Sequence, residues 1–265
     1  ELDQIKIQVT EVFPKSIINV IKSPDLMMDY SMNPYQGCEH GCSYCFARPT
    51  HEFWGYSAGV DFERKLMVKK NAPELLEKTF QKKSYVPKPI MLSGNTDCYQ
   101  PIERQFEITR KLLQICLDYR HPVSIITKNA LVLRDIDILE KMAEKNLISV
   151  SLSIPTINED LRRVMEPRTS TAKNKLKAIE VLSEKNIPVN VMIAPVIPGL
   201  TSDESLAIMK AVSEAGARSC GYTLVRLNDT VEPVFIQWLN THFPDRKDKV
   251  LNLIRSMRGG NLGET

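Results

Sequence analysis

Long apolar runs are missing from this 265-residue chain: no stretch can span a bilayer, and no secretory leader is recognisable. That removes a membrane-spanning helix and points to a cytoplasmic protein. Cysteine is too unevenly placed for a disulfide framework. Three of the six lie in one short segment, and Cys98, Cys116 and Cys220 are scattered, a pattern suited to a reducing compartment. Charge excess is small, a net +3, which permits a polyanionic partner without arguing for one. Repeats of fixed period, low-complexity tracts and convincing interdomain linkers are absent. Glu1 is not a methionine and Arg258-Gly-Gly-Asn-Leu-Gly-Glu-Thr265 reads as an interrupted tail, so a piece of a longer protein is expected.

What is present supplies a sizeable core: 43% hydrophobic and 25% charged residues are ordinary globular values. The length lies just above the usual size of one α/β barrel, so a single domain over residues 1–265 is expected. Pro89–Ser93, Pro122–Thr127, Leu147–Ile154, Pro188–Ala194 and Ser219–Val225 read as strands. Between them, Ile102–Tyr119, Leu133–Lys145, Thr171–Lys185 and Asp203–Ala215 read as helices, and two closing helices start near Glu232 and Asp245. Helix-length stretches between short Val/Ile-rich runs predict repeated βα units on a parallel sheet. Periodicity alone leaves open whether that sheet closes, opens or winds doubly.

The most informative segment is Asn33-Pro-Tyr-Gln-Gly-Cys-Glu-His-Gly-Cys-Ser-Tyr-Cys-Phe-Ala-Arg48. Its spacings bring the thiols of Cys38, Cys42 and Cys45 to one side of a tight loop. Soft thiolates select iron–sulfur clusters, copper(I) or zinc. A [4Fe–4S] cluster takes four ligands, and this run supplies three, leaving one iron for a substrate or cofactor. Zinc would want a closed four-ligand site, which His40 or His51 would have to complete. A disulfide in so short a loop would be strained and would leave an odd thiol.

Cys-x3-Cys-x-aromatic-Cys is the signature of the radical S-adenosylmethionine (SAM) enzymes, and this segment resembles them closely. The resemblance narrows to the branch containing spore photoproduct lyase through Ser93–Glu103, Thr127-Lys128, Ser151–Ile154, Met165-Glu-Pro-Arg168 and Ala194–Gly199. Photolyase-like bacterial proteins are more similar still, sharing His51, Asp61-Phe-Glu63 and His121-Pro-Val123. The likeness implies a partial (β/α)6 barrel with parallel strands, its core over about residues 30–228, flanked by N- and C-terminal extensions, the latter helical over about 229–258. It also implies a [4Fe–4S] cluster on Cys38, Cys42 and Cys45, with SAM on the remaining iron and a flavodoxin- or ferredoxin-like electron donor. The cofactor contacts it implies are Ser93, Gly94, Asn95 and Thr96 at the methionyl amine, Lys128 and Ser153 at the carboxylate and ribose, and Tyr44, Val196 and Ile197 around adenine.

Arg168 is a further candidate, either clamping a carboxylate or phosphate or capping its loop against Glu166 or Asp160. The lyase's hydrogen-donor cysteine aligns with Gly94, so Cys98 and Tyr99 are the expected donors instead. Two departures, that Gly94 and the lack of a Gly-Gly-Glu after the second strand, leave the substrate open among damaged DNA, RNA and protein. The competing reading is a non-catalytic module, zinc-structured or an iron–sulfur sensor.

Overall fold

A computed structural model describes residues 7–22 and 28–263; Glu1 and Thr265, at the two ends, lie outside them. The main sheet has seven strands in the order β10-β9-β8-β7-β6-β3-β2. They are β2 (Ile18–Val20), β3 (Tyr30–Met32), β6 (Ile90–Leu92), β7 (Val123–Thr127), β8 (Ile148–Ser153), β9 (Val189–Val196) and β10 (Ser219–Leu224). Six of these run parallel, from β3 to β10, and β2 pairs antiparallel at the rim. The helices that follow are α3 (Glu103–Phe106), α4 (Ile108–Asp118), α5 (Ile136–Ala143), α6 (Glu159–Met165), α7 (Ala172–Glu184) and α8 (Ser205–Glu214). This is the expected α/β architecture, a parallel sheet of six βα units.

Alternation explains which face the helices cover. In β7, β8 and β9 the residues Val123, Ile125, Val150, Leu152, Val189, Val191 and Ile193 are buried and join Leu112, Leu139, Ile179 and Ile208 of the helices in one core. Their alternating neighbours Ser124, Ser149, Ser151, Asn190 and Met192 are partly exposed, on the opposite face of the pleat. Asn190 donates to Ser149 Oγ at 3.0 Å and accepts from Ser219 Oγ at 2.8 Å, so these polar residues share one face of the sheet.

A second sheet, unanticipated from periodicity, carries β1 (Gln8–Val12), β4 (Tyr35–Gln36) and β5 (Lys65–Lys69) in the order β1-β5-β4. Before β5 lies α1 (Val60–Arg64), and after it α2 (Ala72–Phe80). β4 leads directly into the thiol loop, and Cys38 N donates to Phe62 O at 2.9 Å. The closing helices α9 (Val231–His242) and α10 (Lys247–Met257) pack Phe235, Leu239, Val250 and Ile254 into a core that also holds Cys42 and Tyr44.

The single helix expected over Ile102–Tyr119 is two. Glu107 adopts a left-handed conformation (φ 51°), and the buried Glu103 carboxylate accepts from Thr109 N at 3.1 Å, capping the start of α4. Likewise, the helix expected from Leu133 is preceded by a 3-10 turn over Ala130–Asp135 and begins at Ile136.

Candidate active site

Because six strands are parallel, the loops after β3, β6, β7, β8 and β9 emerge along one edge, where barrels of this kind place their chemistry. The thiol loop follows β3 and β4 there. Cys38 and Cys42 are buried, Cys45 is partly exposed, and all three are free thiols. Burial pushes each thiol up, and at Cys38 and Cys42 their closeness to the other loop thiols adds to it.

Arg48, 1% exposed, fixes the loop's outer side. Its Nε and Nη2 donate to Cys42 O at 3.0 and 2.8 Å, its Nη1 to Ala58 O and Gly59 O at 2.9 Å each, and its Nη2 to Glu63 Oε1 at 2.6 Å. Five contacts use the five guanidinium donors. Glu63 also pairs with Arg168 Nη2 at 3.1 Å, and Arg168 Nε donates to Glu39 O. Arg168 is therefore a brace for the thiol loop, and its carboxylate partner is Glu63, where the sequence suggested Glu166 or Asp160. Gly41 sits beneath this pair at φ +66°; a Cβ there would meet Glu63 Oε2 at 2.8 Å and Arg168 Nη2 at 2.9 Å.

On the inner side, Asp97 and Glu166 organise the contacts. Asp97 accepts from Thr127 Oγ1 at 2.7 Å, Lys128 N at 2.8 Å and Tyr99 N at 2.8 Å, and lies 3.4 Å from His40 Nδ1. Glu166, fully buried, accepts from the Tyr44 hydroxyl, with Lys175 Nζ at 3.4 Å, Lys128 Nζ at 3.8 Å and Cys42 Sγ at 4.0 Å. Burial pushes the Glu166 carboxyl up, but the two ammonium groups and the Tyr44 hydroxyl outweigh it and the net direction is down. Lys128 is likewise opposed by burial, yet Glu166 with the nearby thiols and Asp97 holds it above the usual lysine range.

The structure brings Tyr44, Lys128 and the three cysteines together. Ile197 joins Tyr44 and Cys42 in one apolar cluster, while the carbonyl of Val196 is taken by Val225 N at 2.9 Å. Ser153 is 4% exposed at the end of β8. After β6, Ser93 takes φ 74° and accepts from Cys98 N, Gly94 packs on Met91 and Ser31, Asn95 N donates to Asn33 Oδ1, and Thr96 Oγ1 donates to Tyr35 O.

Cys98 and Tyr99 are placed differently. Both are 0% exposed in the core between sheet and helices. Tyr99 donates to Asp135 Oδ2 at 3.0 Å and Cys98 O accepts from Thr109 Oγ1 at 2.7 Å. A side chain facing an open substrate chamber would retain some exposure, and these retain none.

Neither histidine completes a closed zinc shell. His40 is held by Asp97 and lies 3.4 Å from Asn129 Nδ2. His51 stands between Tyr56 and Phe62 with both ring nitrogens unpartnered. Among the described residues, no three His, Cys, Asp or Glu side chains form a ready-made ion site. The loop does suit a bulkier thiolate-bound group. Its donors are three soft sulfurs, and Glu39 Oε1 and Ser43 Oγ, beside them in the chain, are buried without a partner.

A family model of the radical SAM superfamily matches residues 32–212, from the end of β3 to within α8. The chain belongs to the radical SAM superfamily. An uncharacterized protein of Mycobacterium tuberculosis is 31% identical over 248 residues, covering 92% of this chain and 73% of that protein. Among solved structures, a spore photoproduct lyase mutant superposes with a TM-score of 0.66 at 13% identity, over 89% of this chain. The chain spans 66% of that lyase. Another lyase mutant, with AdoMet and dinucleoside spore photoproduct bound, gives 0.64 at 14% identity over 95% of this chain and 79% of that one. At these identities the likeness is one of fold. No described helix is long and apolar enough to cross a membrane.

Missed in the sequence were Arg48, Glu63, Asp97, Glu166 and Lys175. Lys175 left a readable sign: it falls in register with Ala172, Ala178, Ile179 and Leu182, the buried stripe of α7.

Proposed function

We propose that this chain is an enzyme that cleaves SAM reductively and directs the resulting radical at a substrate hydrogen. The observation that carries it is the conjunction of Cys38, Cys42 and Cys45 with Lys128, Tyr44 and Ile197 at the carboxyl edge of a parallel sheet. The three thiolates would hold a [4Fe–4S] cluster. A cluster held there would supply one electron, drawn from a flavodoxin- or ferredoxin-like donor, to the C5′–S bond of SAM, which would part into methionine and a 5′-deoxyadenosyl radical able to take a substrate hydrogen.

The chain's own residues bind and orient. Lys128 would receive the methionyl carboxylate, the Ser153 hydroxyl the ribose, and Tyr44 the adenine edge, with Ile197 packed behind it. Ser93 to Thr96 would supply backbone near the amine, since their side chains are engaged by the wall. Arg168 braces the loop and binds no cofactor in this reading.

The lyase's dinucleoside ligand keeps damaged DNA among the substrates considered. The burial of Cys98 and Tyr99 argues against either as hydrogen donor, and so against a copy of the lyase reaction. Anaerobic reconstitution followed by metal analysis tests the assignment: iron with sulfide and a brown chromophore is expected, and stoichiometric zinc in a colourless protein would replace it with the structural-metal reading. Deuterium transfer into 5′-deoxyadenosine from labelled DNA, RNA and peptide pools then identifies the substrate class.

A further inference from the structure

The segment Met165–Ser170 lies as a strap between the thiol loop and the end of β7. Ser43 N donates to Met165 O at 3.0 Å and Arg168 N to His40 O at 3.4 Å, tying the strap to the loop. Ser170 N donates to Lys128 O at 3.3 Å, and Ser170 Oγ to Asn129 Oδ1 at 3.0 Å, tying it to the strand end. Glu166 is the strap's buried charged side chain, and its carboxylate meets Tyr44, Thr169, Lys175, Lys128 and Cys42.

Two ammonium groups that differ in exposure share Glu166. Lys175 is 1% exposed and has Glu166 as its hydrogen-bonded partner, whereas Lys128, 3.8 Å from Glu166, is 18% exposed. Asp97, which accepts from Thr127 and from the backbone of Tyr99 and Lys128 and lies 3.4 Å from His40, adds its negative charge near Lys128. Lys128 is the less enclosed of the two ammonium groups, and so the one that a further anion can reach.

We propose that Glu166, neutralised by Lys175, is a positioning residue that holds Lys128 and Tyr44 beside Cys42 and so presents Lys128 to a ligand carboxylate. This rests on SAM as the cofactor. In this arrangement Lys175 satisfies Glu166 and leaves Lys128 free to turn its charge outward. The Tyr44 hydroxyl, held by the same carboxylate, fixes the loop side of the pocket.

The test compares SAM with decarboxylated SAM, which lacks only the carboxylate, on the full reconstituted chain. Binding is read by equilibrium dialysis and by the change each causes in the reduced cluster's EPR spectrum. Glu166→Gln alone would strand Lys175, so the principal variant is Glu166→Gln/Lys175→Met, which removes both charges together. The wild type should prefer SAM, and in the double variant that preference should narrow by roughly 10-fold or more, as loss of a supporting partner does, with iron content retained.

An unchanged preference, or equal weakening of both ligands, would make Glu166 a structural residue only and overturn the proposal. A wild type that binds neither ligand would instead overturn the cofactor reading on which the proposal stands. If the double variant does not fold, Lys175→Met alone serves: it leaves Lys128 as the sole counter-ion of Glu166, and the preference for SAM should narrow in the same direction.

Discussion

Gly41 and Arg48 show how single residues shape the thiol loop. At Gly41 a side chain would meet Glu63 and Arg168 on a left-handed backbone, so Gly41→Ala should cost about 1–3 kcal/mol by denaturant unfolding and lower the iron retained per chain. Arg48 has its full donor set used inside the protein. Arg48→Ala, by leaving the Cys42, Ala58 and Gly59 carbonyls without their donor while Glu63 keeps Arg168, should destabilise by about 1–3 kcal/mol. Arg48→Lys should recover little of that, because one ammonium cannot reproduce a planar fork. Lys69 offers a pH test. Burial pushes it down to about 8 from 10.5, with Nζ donating to Asn33 O at 2.8 Å. Between those values the unfolded chain binds more protons, so this group's penalty on stability is full below pH 8 and fades toward pH 10.5. Lys69→Met should therefore raise the melting temperature most near pH 7, and the difference from wild type should shrink as pH climbs through that window.

At the scale of elements, the βα alternation after β6 was legible because Val/Ile runs and amphipathic stripes are strong periodic signals. The short strands β1, β4 and β5 were not, since Gln8–Val12 is mostly exposed and Tyr35–Gln36 is only two residues long. The break at Glu107 was hidden for another reason: Phe106, Leu112 and Leu113 keep helical spacing across it, and only the tertiary role of Glu103 betrays the new helix start. Glu103 also takes Arg134 Nη2 at 2.7 Å and the Tyr35 hydroxyl. Glu103→Ala should thus cost more than a lost cap, about 1–3 kcal/mol from the buried Tyr35 hydroxyl left without its acceptor, while Arg134 keeps Asp135; the check is a drop in unfolding free energy with helix content reduced around α4. The strap Met165–Ser170 was visible as a motif, but its partners were not. Which charges meet across more than a hundred residues, as Glu63 and Arg168 do, is decided by packing.

For the whole molecule, the sequence placed the parallel sheet and the thiol loop correctly because both are written in local patterns. The side chains around the loop were read unevenly. Lys128 and Tyr44 lie beside Cys42, Arg168 turned out to brace the backbone, and Cys98 and Tyr99 fell on the helix-covered face. Strand alternation assigns a side chain to a face only where the strand continues, and residues 93–99 form a loop. The central claim is that Cys38, Cys42 and Cys45 together hold the group that cleaves SAM. It is tested most directly by 5′-deoxyadenosine formed per chain after anaerobic reconstitution and reduction, in the wild type and in Cys38→Ala, Cys42→Ala and Cys45→Ala. The account predicts formation in the wild type and none above background in each variant. Wild-type protein that binds iron yet forms no 5′-deoxyadenosine, or a single-cysteine variant that forms it at the wild-type level, would contradict it.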